Sequence, residues 1–475
     1  MTFKGRLPAA SLLVSLWVTG CTTQRSYQPP ALPLPSAWAN SPSAGAATSI
    51  AGTGFVAAPQ NWWAQLHDPA VNALMASALI DNPSLAEAAE RVQEARATLT
   101  VEHAQRLPQL SAVGSVSRSA SASLAGASGP PTLLTNSKSI GPSFSWELDL
   151  WGRLRETAQA AANRLDEQNA DALEARLSLA AQIAQSVLNV RACHYSLAVG
   201  DSDIASRQLE LGLMHKRLLF GNVAPVDEAN AQTNLAAART SRISQQESCT
   251  RLIDALVALS GQSATSVSAV VKQPITTSIT GKLDGPPSEL GEPGELGIDP
   301  RSVIPLPPPF QPALPATVIL AHPNVVAAER ETAATWSEIA VSRANRLPKI
   351  DLAAMLSGNW LAAFGQATRF QTWSVSSNLS APLIDGGAGA ANVRSAQARY
   401  REAVATLRET VRTTVQNIED ALAERQSAED RMVTSQQELA AAEATLRANE
   451  QRWRAGSISQ FDLQIARRQY TSAQD

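Results

Sequence analysis

The chain is written twice. Pro83 to Leu110 lies on Pro323 to Ile350 at an offset of 240 without gaps, and seven of 28 positions are identical, among them Pro83/Pro323 and Arg106-Leu107-Pro108 with Arg346-Leu347-Pro348. Further on, Phe220-Gly221 to Ala238 lies on Ala455-Gly456 to Ala473 at an offset of 235, which pairs the glycines and pairs Asp227 with Asp462. Two nearly equal offsets in the same order, with proline, glycine and aspartate in register, mark an internal duplication. Whatever one half folds into, the other half must fold into as well.

Each half changes period along its length. Asn82-Pro83 and His322-Pro323 predict helix starts, because proline at the first helical position has no N–H to lose. Both helices run to the Arg-Leu-Pro stops, after which the apolar period becomes two. In Ser143 to Leu150, Phe144, Trp146, Leu148 and Leu150 share one face while Ser143, Ser145, Glu147 and Asp149 share the other. Trp373, Val375, Leu379 and Ala381 against Ser374, Ser376, Asn378 and Ser380 repeat the pattern, and Leu110 to Ser119 and Ile350 to Leu356 alternate more weakly. One face suits lipid and the other water. The reading is two hairpins, about 110–152 and 350–384, with Ser-, Gly-, Ala- and Asn-rich loops over about 120–141 and 357–371. Glu147 and Asp149 are then charges facing a pore.

Beyond the strands, Arg153 to Phe220 and Ala390 to Ala455 contain no proline. At 1.5 Å per residue, each would reach roughly 100 Å as a single helix. Gly221 and Gly456 end these helices and a second helix follows each, so both are helical hairpins with tips at about 221–226 and 456–461. The first repeat spans 69–262 and the second 316–475. Between them, 263–315 reads as an extended connector, since Pro274 to Pro315 holds eleven of the 28 prolines. In the first half the helix after the tip continues to Ser260-Gly261; the same pattern would call for roughly 24 to 26 residues beyond Asp475.

Four amphipathic strands cannot close a membrane barrel, which needs at least about eight, and open edges are not tolerated in lipid. The chain must therefore oligomerise. Three copies supply twelve strands and, below them, a twelve-helix tube: a mainly α fold with a small membrane β-sheet. The composition agrees, because 44% hydrophobic residues with only 5% aromatic is an alanine-rich mixture suited to closely packed helices. A net charge of -3 offers no footprint for nucleic acid. The histidines 67, 103, 194, 215 and 322 show no metal-ligand spacing, and no nucleophile or paired catalytic carboxylates stand out, so neither an enzyme nor a cofactor or metal is expected.

The N-terminus reads as an address. Residues 1–20 carry Lys4 and Arg6, then an apolar stretch, then Val18-Thr19-Gly20 before Cys21, the pattern of a lipoprotein signal peptide. Cys21 is the lipidation site, the lipid being the only covalent group expected, and 21–68 is a lipidated extended segment. Thr22, where inner-membrane lipoproteins carry Asp, points to the outer membrane.

These features together resemble the TolC-type outer-membrane factors, in particular their lipoprotein branch. The residues that carry the resemblance are Cys21, Trp62-Trp63 before Leu66-His67-Asp68-Pro69, the Asn82-Pro83 start, both Arg-Leu-Pro stops, Trp146-Glu147-Leu148-Asp149-Leu150-Trp151-Gly152-Arg153 and the two Gly-x5-Asp tips. The resemblance implies a homotrimer, lipid-anchored in the outer membrane, whose periplasmic tunnel docks onto an adaptor protein coupled to an inner-membrane efflux pump. It further implies a passive exit duct for drugs or other small molecules, with Gly221, Asp227, Gly456 and Asp462 at the entrance. The family's tip aspartates narrow that entrance; Asp227 and Asp462 either do so or cap the helices that follow them. The family's tip arginine and second acidic residue are replaced here by Ile458 and Ile465. Two alternatives remain open: the outer-membrane part of a type I secretion system, and a non-conducting lipoprotein scaffold, for which the amphipathic strands are awkward.

Cys193 lies 28 residues before Gly221 and Cys249 lies 28 after it, so an antiparallel hairpin puts them at one height. They are either a disulfide, favoured by an oxidising compartment, or two buried thiols.

Overall fold

The computed structural model describes residues 26–40, 61–122, 132–273, 275, 304–305, 307, 315–363 and 366–475. The signal segment, the lipidation candidate Cys21 and most of the connector after residue 273 lie outside the described residues.

The elements follow the duplication. A 3-10 turn, Trp62–Leu66, leads into α1 (Pro69–Asp81). The first repeat continues with α2 (Pro83–Ala104), β1 (Gln109–Ala122), β2 (Thr132–Leu148), α3 (Arg153–Leu219) and α4 (Pro225–Ser260), then α5 (Ala264–Val271). The second has α6 (Pro315–Ala321), α7 (Pro323–Ala344), β3 (Lys349–Ala363), β4 (Gln366–Ser380), α8 (Ala388–Arg454) and α9 (Gln460–Gln474). Both α2 and α7 have 22 residues, and both α3 and α8 have 67, so the two offsets hold from end to end of these helices. No helix among the described residues is long and apolar enough to cross a membrane.

The helix starts are chemically specified. The Asn82 carboxamide oxygen accepts from Ser84 N–H at 3.0 Å, and His322 Nδ1 accepts from Asn324 N–H at 3.3 Å, in each case just ahead of the proline. A side-chain acceptor there satisfies a donor that the first helical turn leaves orphaned.

The chain divides into two units. One comprises Met1–Pro33, Ala88–Ala172 and His322–Thr413. It holds a four-stranded antiparallel sheet in the order β1-β2-β3-β4, so β1 and β4 are open edges. The register sets Leu110, Phe144, Ala354 and Val375 side by side across all four strands. Period-2 alternation places the apolar row on one face, where Leu110 is 76% and Val375 74% exposed while Phe144 and Ala354 are half-buried; Trp373, on the same face, is 78% exposed. On the other face, the hydroxyls of Ser115 and Ser139, and of Ser117 and Ser137, bond at 2.7 Å, and Asn359 Nδ2 donates to Thr372 Oγ1 at 2.9 Å.

This corrects the expected loops. Residues 132–141, 357–363 and 366–371 are strand, not connection. Serine, threonine and asparagine lower the apolar signal of these stretches, yet on a water-facing sheet surface they bond across strands instead of breaking them.

The helices of this unit pack around α7, which buries ten of its residues whereas α2 buries only Val92. Arg164 of α3 pairs with Glu338 and, at 3.6 Å, with Glu331 of α7. Arg399 of α8 approaches Glu338 at 3.8 Å, and the Trp336 and Tyr400 rings meet edge-on at 5.1 Å.

The other unit comprises Leu34–Glu87, Leu173–Ala321 and Thr414–Asp475. Its core joins Val71, Leu74 and Met75 of α1 to Ile183, Val187 and Val190 of α3, Leu256 of α4, and Val267 and Val271 of α5. Here too the expectation needs revision. α5 opens the stretch read as extended connector, but Ser263 caps it, accepting from Ser266 N–H at 3.3 Å, and two of its three valines, Val267 and Val271, are buried. The helix ends before the prolines begin.

Candidate functional site

The hairpin tips are built twice from the same parts. α3 runs out at Gly221, whose φ of 70° lets its N–H reach Leu218 O and the next N–H, of Asn222, reach Arg217 O, both at 2.9 Å. α8 ends identically at Gly456, φ 72°, with Gly456 N–H to Trp453 O at 2.9 Å and Ser457 N–H to Arg452 O at 2.8 Å. Such a left-handed residue closes a helix at little cost only as glycine.

Six residues on, each aspartate reaches the third position of the next helix. Asp227 Oδ2 accepts from Ala224 N–H at 3.0 Å. Asp462 Oδ2 accepts from Ser459 N–H at 3.1 Å and from Ser459 Oγ–H at 2.7 Å, while Ser459 Oγ accepts from Asp462 N–H at 3.2 Å, a complete capping box. The Ser459 hydroxyl, followed by its backbone N–H, holds the Asp462 carboxyl below the usual carboxylate range. Both aspartates are therefore helix caps.

Near the tips, α3 and α9 are joined by side chains that looked in the sequence like ordinary surface residues. Arg468 Nη1 donates to Glu210 Oε2 at 2.6 Å, and Ser206 bonds the fully buried Gln464. Glu210 is itself only 7% exposed, so this is a mostly dehydrated pair. The pairing spans 258 residues of sequence and leaves no local spacing signal.

Cys193 and Cys249 are bonded, with Cα atoms 5.7 Å apart. The bond fastens α3 to α4 and closes a 56-residue separation, for which chain entropy gives a stabilisation of about 4 kcal/mol. In Cys249→Ser, proteolysis between residues 194 and 248 is expected to accelerate at temperatures where the parent resists; equal cleavage rates would show that packing alone holds the hairpin.

At the strand ends, the reading of Asp149 as a strand charge is corrected, while Glu147 keeps its place on the polar face of β2. Asp149 lies past the end of β2 and caps α3, accepting from Leu154 N–H at 3.1 Å and Arg155 N–H at 2.8 Å. Glu147 is on the strand but takes a two-pronged bond from Arg153, at 3.0 and 2.6 Å. The second repeat does the same with Asp385, which accepts from Gly387 N–H at 2.9 Å and Gly389 N–H at 2.7 Å. These backbone donors hold its carboxyl below the usual range. The Asp-Gly-Gly run is thus a capped helix start. Trp151 Nε1 donates to Pro348 O at 2.7 Å, tying the first strand–helix turn to the second Arg-Leu-Pro stop.

A buried ion pair completes the set. Arg191 donates from Nε to Asp68 Oδ2 at 2.7 Å and from Nη2 to Asp68 Oδ1 at 2.8 Å, and from Nη1 to Gln273 O at 3.1 Å. The two side chains are 3% and 0% exposed. Asp68 also caps α1, accepting from Ala70 N–H at 2.8 Å.

A duplicated chain with an open amphipathic sheet, paired long helices and capped tips defines a class of membrane channel subunit, and the comparisons agree. The outer membrane efflux protein family matches residues 74–262 and 314–475, and the chain belongs to that family. It is 27% identical over 393 residues to nodulation protein T of Rhizobium leguminosarum bv. viciae, covering 82% of this chain and 72% of the relative. It is 26% identical over 400 residues to the outer membrane protein OprJ of Pseudomonas aeruginosa, covering 83% and 76%. A crystal structure of a membrane protein from Pseudomonas aeruginosa shares the fold at a TM-score of 0.76, with 22% identity and 95% of each chain covered. The Campylobacter jejuni CmeC channel does so at 0.75, with 19% identity, covering 94% and 89%. The protein is an outer-membrane efflux channel component, located in the outer membrane.

Proposed function

We propose that three copies assemble into a passive exit duct, with a twelve-stranded barrel in the outer membrane above a twelve-helix periplasmic tunnel. The observation that carries this reading is the open four-stranded sheet: an apolar row runs across every strand to two unpaired edges, and neither edge is tolerable in lipid unless another copy pairs with it. The helices support the same closure. α2 carries four Glu and two Arg, a balance of -2, whereas α8 from 388 to 413 carries five Arg and two Glu, a balance of +3, with these arginines exposed. An α2 face of one copy is complementary to an α8 face of the next.

Transport is powered elsewhere, by an inner-membrane pump reached through a periplasmic adaptor that docks at the tips around Gly221 and Gly456. The cargo is small: relatives bear the names of a cation efflux protein and a toluene efflux pump component. The Glu210–Arg468 and Ser206–Gln464 bonds hold the entrance narrow. A lipid on Cys21 alone would bind a bilayer only marginally, and the barrel supplies the second membrane attachment. In planar bilayers the protein is expected to give small, cation-preferring conductance steps, and Arg468→Ala is expected to raise the single-channel conductance several-fold. Absence of any conductance from correctly inserted protein would overturn the duct reading.

A further inference from the structure

β1 and β4 are the edges of the sheet, and every described side chain on either strand is exposed. The two hairpins repeat each other in register as well as in sequence. The offset of 240 applied to β1 and that of 235 applied to β2 carry the pairs from Gln109↔Ser145 to Ala122↔Thr132 onto the β3–β4 pairs from Lys349↔Ser380 to Ala362↔Ala367, without a slip. The chain also shows how one hairpin meets the next. β2 and β3 pair antiparallel, with Leu148 opposite Ile350, Ser143 opposite Met355 and Ser139 opposite Asn359.

We propose, on the basis of the trimeric duct above, that β4 of one copy pairs antiparallel with β1 of the next in the same register in which β2 pairs with β3. Carried through the two offsets, that register sets Asn378 opposite Ser115 of the next copy, Ser374 opposite Ser119 and Leu383 opposite Leu110. The chemistry of the faces agrees at each position. On the water face, hydroxyl and amide side chains meet, as Ser115 meets Ser139 and Asn359 meets Thr372 within a copy. On the lipid face, Leu383, 93% exposed in one copy, comes to lie beside Leu110, 76% exposed in the next. A slip of one residue would set each apolar row against its neighbour's water face, so the competing registers lie two residues away.

The seam between copies departs from its template in three places. The β2–β3 ladder is interrupted at Gly141 and Pro142, where a Cβ on Gly141 would lie 1.8 Å from Leu356 O and the proline has no N–H to donate. Their counterparts in β4 are Ser376 and Ser377, which do not fit that close approach and do supply the missing donor, so the new ladder runs unbroken past Ser117. Pro382 stands where Glu147 stands in the first hairpin and costs the seam one donor beside Leu383. At the strand–helix turn the counterpart of Trp151 is Gly386, so the indole bond to Pro348 O has no equivalent across copies. At this height the strands hold the copies together, and the turns contribute less than they do within a copy.

The test is oxidative cross-linking of full-length protein in outer-membrane fractions, with Ser115→Cys combined in turn with Ser376→Cys, Asn378→Cys and Ser380→Cys. Directly opposite Cα atoms lie about 4.5–5.5 Å apart, within reach of a disulfide, whereas diagonal neighbours two residues along lie about 7–8 Å apart and beyond it. β1 and β4 are opposite edges of one sheet, so any such bond joins two copies. The Asn378 combination is expected to give covalent dimer and trimer bands several-fold stronger than either neighbour, and each single variant is expected to give none. Ser119→Cys with Ser374→Cys reads the same register should the first combination fail to assemble. Glutaraldehyde treatment of the parent separates the two ideas. A parent that yields only monomer overturns the duct and the seam together. A parent that yields trimer, with the strongest bond in the Ser376 or Ser380 combination or with no bond in any, overturns the register and leaves the duct standing.

Discussion

Arg191→Ala is expected to lower the unfolding free energy by about 3–5 kcal/mol, the range found when one partner of a buried ion pair is removed. The cost comes less from the lost attraction than from what stays behind. Asp68 is 0% exposed and accepts three hydrogen bonds, two from Arg191 and one from its own helix start. Without the guanidinium, a fully buried carboxylate is left uncompensated, and the Gln273 carbonyl loses its donor. Urea or thermal unfolding of the purified protein measures the loss. Replacing both partners with apolar residues should recover much of it, since the charge is then not stranded; a double variant as unstable as Arg191→Ala would show that Arg191 acts through packing.

Val375→Arg is expected to abolish stable membrane assembly. A lipid-facing arginine near the bilayer midplane costs about 2–4 kcal/mol in a β-barrel, and a trimer would incur it three times. Val375 is 74% exposed within the apolar row that runs through Leu110, Phe144 and Ala354. Ser376→Arg, one residue along on the opposite face, is the control, and it should insert normally because water lies there. Heat-modifiable oligomer bands from outer-membrane fractions report the outcome. Equal loss in both variants would mean that the two faces are not chemically distinct.

Much of this architecture was readable because the repeat puts punctuation in register. Pro83 and Pro323, the Arg-Leu-Pro stops and Gly221 with Gly456 act locally, through a missing N–H or a positive φ, so their meaning does not depend on a partner. The strand lengths were not readable in the same way. Ser137 and Ser139 look like loop residues until the register sets them opposite Ser117 and Ser115. Asp149 reads as the next pore-facing residue of an alternating strand, and only the turn of the chain into α3 converts it into a cap. The pairs Asp68–Arg191 and Glu210–Arg468 lie beyond any sequence pattern. Each joins residues more than a hundred positions apart, and a lone charge in a helical stretch carries no sign of whether another helix covers it.

The bond between Cys193 and Cys249 also makes the two hairpins mechanically unequal. Helices held together only by side chains can slip past each other by a turn and settle again; helices joined by a covalent bond cannot, short of breaking it. The second repeat contains no cysteine at all. The α3–α4 hairpin therefore behaves as a fixed rail, and register play belongs to α8 and α9 alone. Any widening of the tips by sliding must then have one stationary and one travelling partner in every copy, with Glu210 on the rail and Arg468 on the traveller.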